Sequence, residues 1–119
     1  MGTYYKELIV WQKSLLLVKQ IYLVTQNFPK SELYGLMSQM RRAAVSIPSN
    51  IAEGQTRNSR AEFSQFLAIA HGSLAELETQ MIISKDLGYV TQKQFDEYDS
   101  MHTEISKMIT ALRLSISKN

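Results

Sequence analysis

The 119-residue chain has no cysteine, and this absence excludes a disulfide scaffold, a thiol nucleophile and a cysteine metal site. A reducing cytoplasm is the compartment that such a composition favours. Proline and glycine are scarce, at 2 and 5 residues, and no apolar run approaches the roughly 20 residues that span a bilayer. These absences favour a compact helical protein without a membrane segment.

A strong charge of one sign is also missing, since 13 Lys and Arg residues face 11 Asp and Glu residues, for a formal net charge of +2. This small excess permits contact with nucleic acid without requiring it. Hydrophobic residues make up 45% of the chain, and its length allows one domain to bury a substantial core. We therefore expect a single domain over residues 1–119.

Apolar residues recur at the three- and four-residue spacing of α-helices in four long segments. The first covers about residues 5–27, and Pro29 ends it because proline disfavours helical geometry in the residue before it. Ser31 is expected to cap the second segment, Ser59 the third and Thr91 the fourth. The pattern predicts an all-α fold, an antiparallel up-down-up-down four-helix bundle.

The third segment has the most regular apolar stripe, and we expect three of its leucines in the core: Leu67, Leu74 and Leu77. Gly72, in the same segment, suggests a close approach of another helix. In the first segment, consecutive apolar residues from Leu15 to Val18 cover most of the helix circumference. One bundle interior covers only part of such a surface, so the pattern favours a homo-oligomer.

The second segment contains the sequence QMRRAAVSIPSNIAEG over residues 39–54, with Pro48 in its interior. A proline removes one helical N–H and costs roughly 3 kcal/mol in a helix interior. Either the helix is kinked there or Pro48 opens a new helix. The apolar spacing continues from Ala44 to Ile51, which favours a proline-kinked but continuous second helix. Gly54 is expected near its C-terminal end, where a left-handed conformation suits glycine.

From Phe28 to Gln80 the chain resembles the 23S rRNA-intervening-sequence protein family, small four-helix proteins first recognised inside insertions in bacterial 23S rRNA genes. The resemblance rests on Phe28-Pro29, Glu32, Tyr34-Gly35-Leu36, Gln39, Arg41-Arg42-Ala43, Ser46-Ile47-Pro48, Asn50-Ile51-Ala52-Glu53-Gly54 and Glu76-Leu77-Glu78-Thr79-Gln80. A related protein, the accessory protein of diversity-generating retroelements, is a pentameric barrel that binds nucleic acid and a reverse transcriptase. The resemblance therefore implies a bundle that forms homopentamers and contacts RNA or DNA, and it implies no reaction.

Four arginines give a local excess of positive charge and are the candidate nucleic-acid-binding residues: Arg41, Arg42, Arg57 and Arg60. Guanidinium groups suit phosphates because they form bidentate hydrogen bonds with them. The alternative is that they pair with glutamates within or between subunits, namely Glu53, Glu62, Glu76 or Glu78. Because Arg41 and Arg42 lie ~100° apart around a helix, we expect one of them to turn inward.

No catalytic pattern occurs in the sequence, which lacks a Gly-x-Ser-x-Gly motif, a Walker A loop and a dinucleotide fingerprint. A di-iron bundle needs Glu-x-x-His motifs, and the nearest sequence is a single Asp99-x-x-His102. His71 and His102 are instead expected on polar faces or in subunit contacts. We predict a non-enzymatic bundle, without cofactor or metal, that binds RNA or DNA. The alternative is a structural or protein-interaction scaffold that binds a protein partner, and an enzyme is the weakest of the three interpretations.

Overall fold

The computed structural model describes residues 4–117, which form four long α-helices and two 3-10 turns, Tyr5–Glu7 and Lys30–Glu32. The α-helices are α1 (Ile9–Thr25), α2 (Leu36–Gln55), α3 (Arg60–Asp86) and α4 (Gln92–Ser117). No strand occurs between residues 4 and 117, so the predicted all-α class is confirmed. None of these helices combines the length and the hydropathy needed to cross a membrane.

The four helices surround one core in cyclic order. Helix α1 packs against α2 and α4, and α3 packs against the same two helices, so α1 and α3 lie at opposite corners. Helices α2 and α3 are antiparallel, because the earlier residue of α2 contacts the later residue of α3. Ser46 contacts Ser73, and Met40 contacts Ser84. This order is consistent with the antiparallel up-down-up-down prediction. The molecule measures 47 × 24 × 20 Å.

The apolar stripes of the helices form the core. The three leucines of α3 predicted to be buried are fully buried: Leu67, Leu74 and Leu77. In α1 the fully buried positions include Leu17 and Ile21, whereas Leu16 and Tyr22 remain exposed. The apolar surface of α1 is thus wider than the face that α2 and α4 cover.

Two helices begin at the caps that the sequence predicts. The backbone N–H of Glu62 donates to the Ser59 hydroxyl at 3.1 Å, at the start of α3. The N–H of Gln94 donates to the Thr91 hydroxyl at 3.1 Å, and the N–H of Thr91 donates back to Oε1 of Gln94 at 2.9 Å. These bonds satisfy N–H groups that have no partner inside the helix, so α3 and α4 start where local sequence dictates.

The cap predicted at Ser31 for the second helix is wrong, because α2 begins only at Leu36. The Leu36 N–H donates to Oε1 of Glu32 at 3.2 Å, so a carboxylate takes the place of the serine hydroxyl. The other carboxylate oxygen accepts a bond from the Tyr89 hydroxyl at 3.0 Å. This hydrogen bond, assisted by burial and by the negative charge of Glu32, raises the pKa of Tyr89. The start of α2 is therefore tied to the turn before α4.

Pro48 is buried inside α2, and the helix is continuous through it, as the apolar spacing predicts. The carbonyl of Ala44 loses its usual helical donor there because proline has no N–H. The Asn50 side chain donates to the carbonyl oxygen of Ser46 at 2.8 Å and to the Ser46 hydroxyl at 2.9 Å. These bonds add polar contacts within the turn that contains the proline, and the kink itself stays a prediction.

Two glycines differ from their sequence-based expectations. Gly54 lies near the C-terminal end of α2, as expected, but it is not left-handed, since within residues 4–117 the one positive φ is the 82° of Gly88. Gly54 instead allows α2 and α3 to approach, because a Cβ there would lie 2.5 Å from the Cβ of Phe66. At Gly72 a Cβ would meet no atom within 4 Å, so the close approach expected there does not occur inside the bundle.

Candidate nucleic-acid interface

Arg41 lies on α2 and points toward the last turn of α1. Its Nε donates to the Thr25 hydroxyl at 2.9 Å, and its Nη2 donates to the Tyr22 carbonyl oxygen at 3.3 Å. The guanidinium also lies 4.4 Å from the centroid of the Tyr22 ring. The positive charge thus meets the carbonyl end of α1, where a cation is favourable. Arg41 is the inward arginine of the pair, although its partners are a hydroxyl and a carbonyl rather than a glutamate.

Arg42 is exposed, and no hydrogen bond or ion pair joins its side chain to any residue between 4 and 117. It lies on the ridge of α2 between two surface grooves. The α1/α2 groove, of about 410 Å³, and the α2/α3 groove, of about 510 Å³, both include Arg42 and Ser38 in their walls. We call the two grooves and this ridge the Arg42 surface. A ligand in either groove can reach the unpaired guanidinium.

The α2/α3 groove is lined mainly by polar side chains. The hydroxyl oxygens of Ser46 and Ser73 lie 2.8 Å apart across the two helices. Glu76 also lines this groove, and its carboxylate accepts a long bond of 3.5 Å from Nε2 of Gln80. The Oε1 atom of Gln80 is buried without a partner in the described part of the chain. The hydroxyls of Ser46 and Ser73 can therefore hydrogen-bond a polar ligand in the groove, while the Glu76 carboxylate repels an anion there.

Two tyrosines contribute aromatic rings to the Arg42 surface. Tyr22 lines the α1/α2 groove, stacked on Arg41, and is 43% exposed. Tyr34 lines the α2/α3 groove and is 92% exposed. Bases of single-stranded nucleic acid stack on such rings, each worth about 1–3 kcal/mol. The surface thus combines one free guanidinium with two rings that can receive bases.

Arg57 and Arg60 lie beyond the other end of the α2 helix, and Arg57 is about 22 Å from Arg42 along the helix. Arg57 pairs with Glu53 at 2.9 Å and lies 4.9 Å from the ring centroid of Phe66. The alternative of pairing with a glutamate is therefore confirmed for this arginine. Arg60 opens α3 and is exposed. The structure does not bring the four candidate arginines into one patch, and their role in binding nucleic acid stays a prediction.

Sequence reasoning did not single out Tyr34 or Arg113. Tyr34 belongs to a Tyr-Gly-Leu motif by which the chain resembles its family, and that signal could have identified it. Arg113 is on α4, and its Nε donates to the hydroxyl of Ser64 on α3 at 3.3 Å. Arg113 and Ser64 are 49 positions apart in the chain, and the periodicity of the sequence does not show which residues of α3 and α4 lie side by side.

The two histidines are half-buried and join α3 to α4. Nε2 of His71 lies 2.9 Å from the Ser106 hydroxyl. Nδ1 of His102 lies 3.0 Å from the Tyr98 hydroxyl, and its Nε2 lies 3.6 Å from the Glu78 carboxylate. Burial, together with nearby carboxylates, raises the pKa of Tyr98. Within residues 4–117 no three His, Asp or Glu side chains gather as metal ligands, and the expected lack of a metal stays a prediction.

Comparison with known proteins gives a family match and a structural match. The family model for the 23S rRNA-intervening sequence protein matches residues 6–111. A crystal structure of a protein with unknown function from the S23 ribosomal protein family of Bacteroides thetaiotaomicron has a TM-score of 0.81 and 27% sequence identity. That match covers 88% of this chain and 95% of the other. No curated protein matches the chain.

Proposed function

Because the chain belongs to the 23S rRNA-intervening sequence protein family, we propose that it is a non-enzymatic bundle that binds RNA or DNA through the Arg42 surface. The observation that carries this proposal is the exposed guanidinium of Arg42, which has no partner among residues 4–117. An arginine on a rigid helix whose donors are all free can bind a phosphate in a bidentate manner. The family resemblance implies contact with RNA or DNA, and RNA is the first ligand to test.

Two features favour a single strand over a duplex. The ring of Tyr34 is 92% exposed, and the stacked pair of Tyr22 and Arg41 forms a second platform for a base. Bases are accessible to such rings only when they are unpaired. The net charge of +2 is small, so we expect affinity to depend on few phosphate contacts and on stacking.

Self-assembly is the second part of the proposal. Helix α1 exposes Ile9, Leu16 and Leu23 at seven-residue intervals, each more than half exposed, and we call these residues the α1 stripe. At the opposite corner of the bundle, α3 exposes Ile69 and Ile83. Apolar surfaces on two sides of one subunit suit a head-to-tail contact, which forms a ring when its rotation closes. The family resemblance makes a homopentamer the expected size.

A protein-interaction scaffold without nucleic-acid contact is the second candidate function. The α1 stripe is the observation that favours it, because a helix of another protein can pack on apolar residues at this spacing. This candidate predicts no binding of RNA or DNA and no effect of Arg42 on any partner that packs on the α1 stripe.

Fluorescence anisotropy with a labelled single-stranded RNA that has a 5′-hydroxyl end tests the proposal. Arg42→Gln should weaken binding about fivefold at about 0.1 M salt, the contribution of one phosphate contact through counterion release. Glu76→Gln should strengthen binding, because it removes the carboxylate that faces the same groove. Lys107→Gln, at an exposed position of α4, is the control with the same change of charge and should bind as the wild type does.

Circular dichroism must first show that all three variants keep the helical content of the wild type. Equal affinity of the Arg42 and Lys107 variants would mean that RNA binds elsewhere on the molecule. A lack of binding to RNA and DNA at low salt would leave the scaffold as the function.

A further inference from the structure

A pocket of about 320 Å³ lies between α3 and α4, and the Arg42 surface does not include it. Its walls are formed by Ser64, His71, Thr110, Arg113, Leu114 and Ser117. Apart from the leucine, every lining side chain carries a hydrogen-bond donor, and none is a carboxylate. The Ser117 hydroxyl already donates to the Leu114 carbonyl at 3.0 Å. A pocket with many donors and no acid fits an anion that accepts several hydrogen bonds.

The pocket forms where polar positions of two neighbouring helices face each other. Ser64 and His71 are seven residues apart on α3 and therefore lie on one face of that helix. Thr110, Arg113 and Ser117 are spaced by three and four residues on α4 and share a face in the same way. The fold thus brings five polar side chains from distant parts of the chain to one place.

Arg113 supplies the positive charge of this pocket. It is half-buried, and no carboxylate in the described residues pairs with it. Its Nε donates to the Ser64 hydroxyl at 3.3 Å, which holds the guanidinium against α3 and leaves both terminal nitrogens for a ligand. A partly buried charge without a counter-charge is unfavourable, and a bound anion would remove that cost.

His71 is the second ionisable group of the pocket. Its Nε2 lies 2.9 Å from the hydroxyl of Ser106, which fixes the ring between α3 and α4. Its Nδ1 has no hydrogen-bond partner within residues 4–117 and is free to meet a ligand. The pocket therefore combines a held guanidinium with an oriented imidazole.

We propose that this pocket binds a phosphate group, carried either by a small phosphomonoester or by the 5′ end of an oligonucleotide. The terminal nitrogens of Arg113 bind two phosphate oxygens, and the hydroxyls of Ser64 and Thr110 donate to the others. Leu114, which is 59% exposed, lines the same pocket and packs against the organic part of the ligand. A nucleoside monophosphate therefore binds more tightly than inorganic phosphate.

Isothermal titration calorimetry on the full chain tests this site with four probes. Two are small molecules, inorganic phosphate and a nucleoside 5′-monophosphate. The other two are oligonucleotides of one sequence, the first with a 5′-phosphate end and the second with a 5′-hydroxyl end. Arg113→Gln should weaken phosphate binding about tenfold or more, since it removes hydrogen bonds from a charged donor. Arg42→Gln and Lys93→Gln, the second at an exposed position near the start of α4, should keep the wild-type affinity for the monophosphate. This contrast separates the pocket from the Arg42 surface.

Arg113 also bonds Ser64 and so joins α4 to α3, which means that its loss can lower stability without any ligand. Thr110→Val is the second variant, because it keeps the side-chain shape while removing one donor. It should weaken phosphate binding severalfold. Arg113→Lys should restore part of the affinity, because it keeps the charge and loses the bidentate geometry.

The probes also identify the source of the phosphate. Tight binding of the monophosphate indicates a small ligand. Weak binding of the monophosphate, together with tighter binding of the 5′-phosphate than of the 5′-hydroxyl oligonucleotide, indicates the end of a strand. Both results support the site. It is overturned if none of the phosphate probes binds, or if Arg113→Gln and Thr110→Val both bind phosphate as the wild type does.

Discussion

Arg41 and Arg42 are adjacent in the chain, yet a turn of ~100° around α2 gives them different surroundings. Arg41 donates two hydrogen bonds to the end of α1, to the hydroxyl of Thr25 and the carbonyl of Tyr22. Arg42 has no partner within residues 4–117. Neighbouring arginines of one motif can therefore differ, one bonded to another helix and the other exposed with a free guanidinium.

This difference predicts unequal effects of the two residues on stability. Arg41→Ala should lower the free energy of unfolding by about 1.5–3 kcal/mol, because it removes hydrogen bonds made by a charged group. Arg42→Ala should change it by less than about 0.5 kcal/mol, as is usual for an exposed residue without partners. Urea denaturation of both variants measures the two values. Equal losses would contradict the difference between the two arginines.

The raised pKa of Tyr98 predicts how the stability of the fold depends on pH. Burial raises the pKa of its hydroxyl above the ordinary 10.0, with the charges of Glu78 and Asp99 adding to the effect. The folded chain therefore keeps a proton that the unfolded chain releases above about pH 10. This contribution to stability is complete below that pH and is lost as the pH rises, by at most about 1.4 kcal/mol per pH unit.

Denaturation at several pH values from about pH 8 to about pH 11 measures this decline. Tyr98→Phe should be less stable at the lower pH, because it loses the contact with His102 at 3.0 Å. Above about pH 10 its stability should fall less steeply than that of the wild type. Parallel curves for the two proteins would show that Tyr98 does not carry this dependence.

At the scale of the helices, alanine substitutions at Gly54 and at Gly72 provide a matched comparison. A Cβ at Gly54 would lie 2.5 Å from the Cβ of Phe66, so Gly54→Ala should force α2 and α3 apart and cost about 1–3 kcal/mol. A Cβ at Gly72 meets no atom within 4 Å, so Gly72→Ala should be neutral or stabilise the helix by up to about 1 kcal/mol. Thermal or urea unfolding compares them. A tolerated Gly54→Ala would show that the helices do not pack as closely as described.

The helices themselves could be predicted because their signals are local. Apolar spacing gave the four segments, and Ser59 and Thr91 cap α3 and α4 through bonds to residues three positions away. Ser31 failed as a cap because the chain makes a 3-10 turn there, and the carboxylate of Glu32 bonds the first N–H of α2 instead. A competing acceptor one residue away is not visible in a spacing pattern.

The site could be predicted only in part, because its contacts depend on register between helices. The motif identified Arg41 and Arg42 as a pair, but Arg41 bonds Thr25, and the sequence offers no reason to choose this partner over a glutamate. Arg113 meets Ser64 only because α3 and α4 align at those positions. Pairings of this kind need the packed structure.

At the scale of the whole molecule, the α1 stripe predicts assembly. Sedimentation equilibrium of the wild type should give a mass five times the 13.6 kDa of one chain. Leu16→Glu places a charge in the middle of the stripe and should yield single chains, because a buried charge without a partner is costly. Thr103→Glu, at an exposed position of α4, adds the same charge and should leave the oligomer intact. A dilution-resistant mass of 13.6 kDa for the wild type would contradict assembly.

The salt dependence of RNA binding tests the central claim, that the free guanidinium of Arg42 contacts a phosphate. The logarithm of the association constant of the wild type should fall linearly with the logarithm of the salt concentration. Arg42→Gln should make this slope shallower by about 0.7, the value for one phosphate of a single strand, and Lys107→Gln should leave it unchanged. Identical slopes for the wild type and the Arg42 variant would contradict the account.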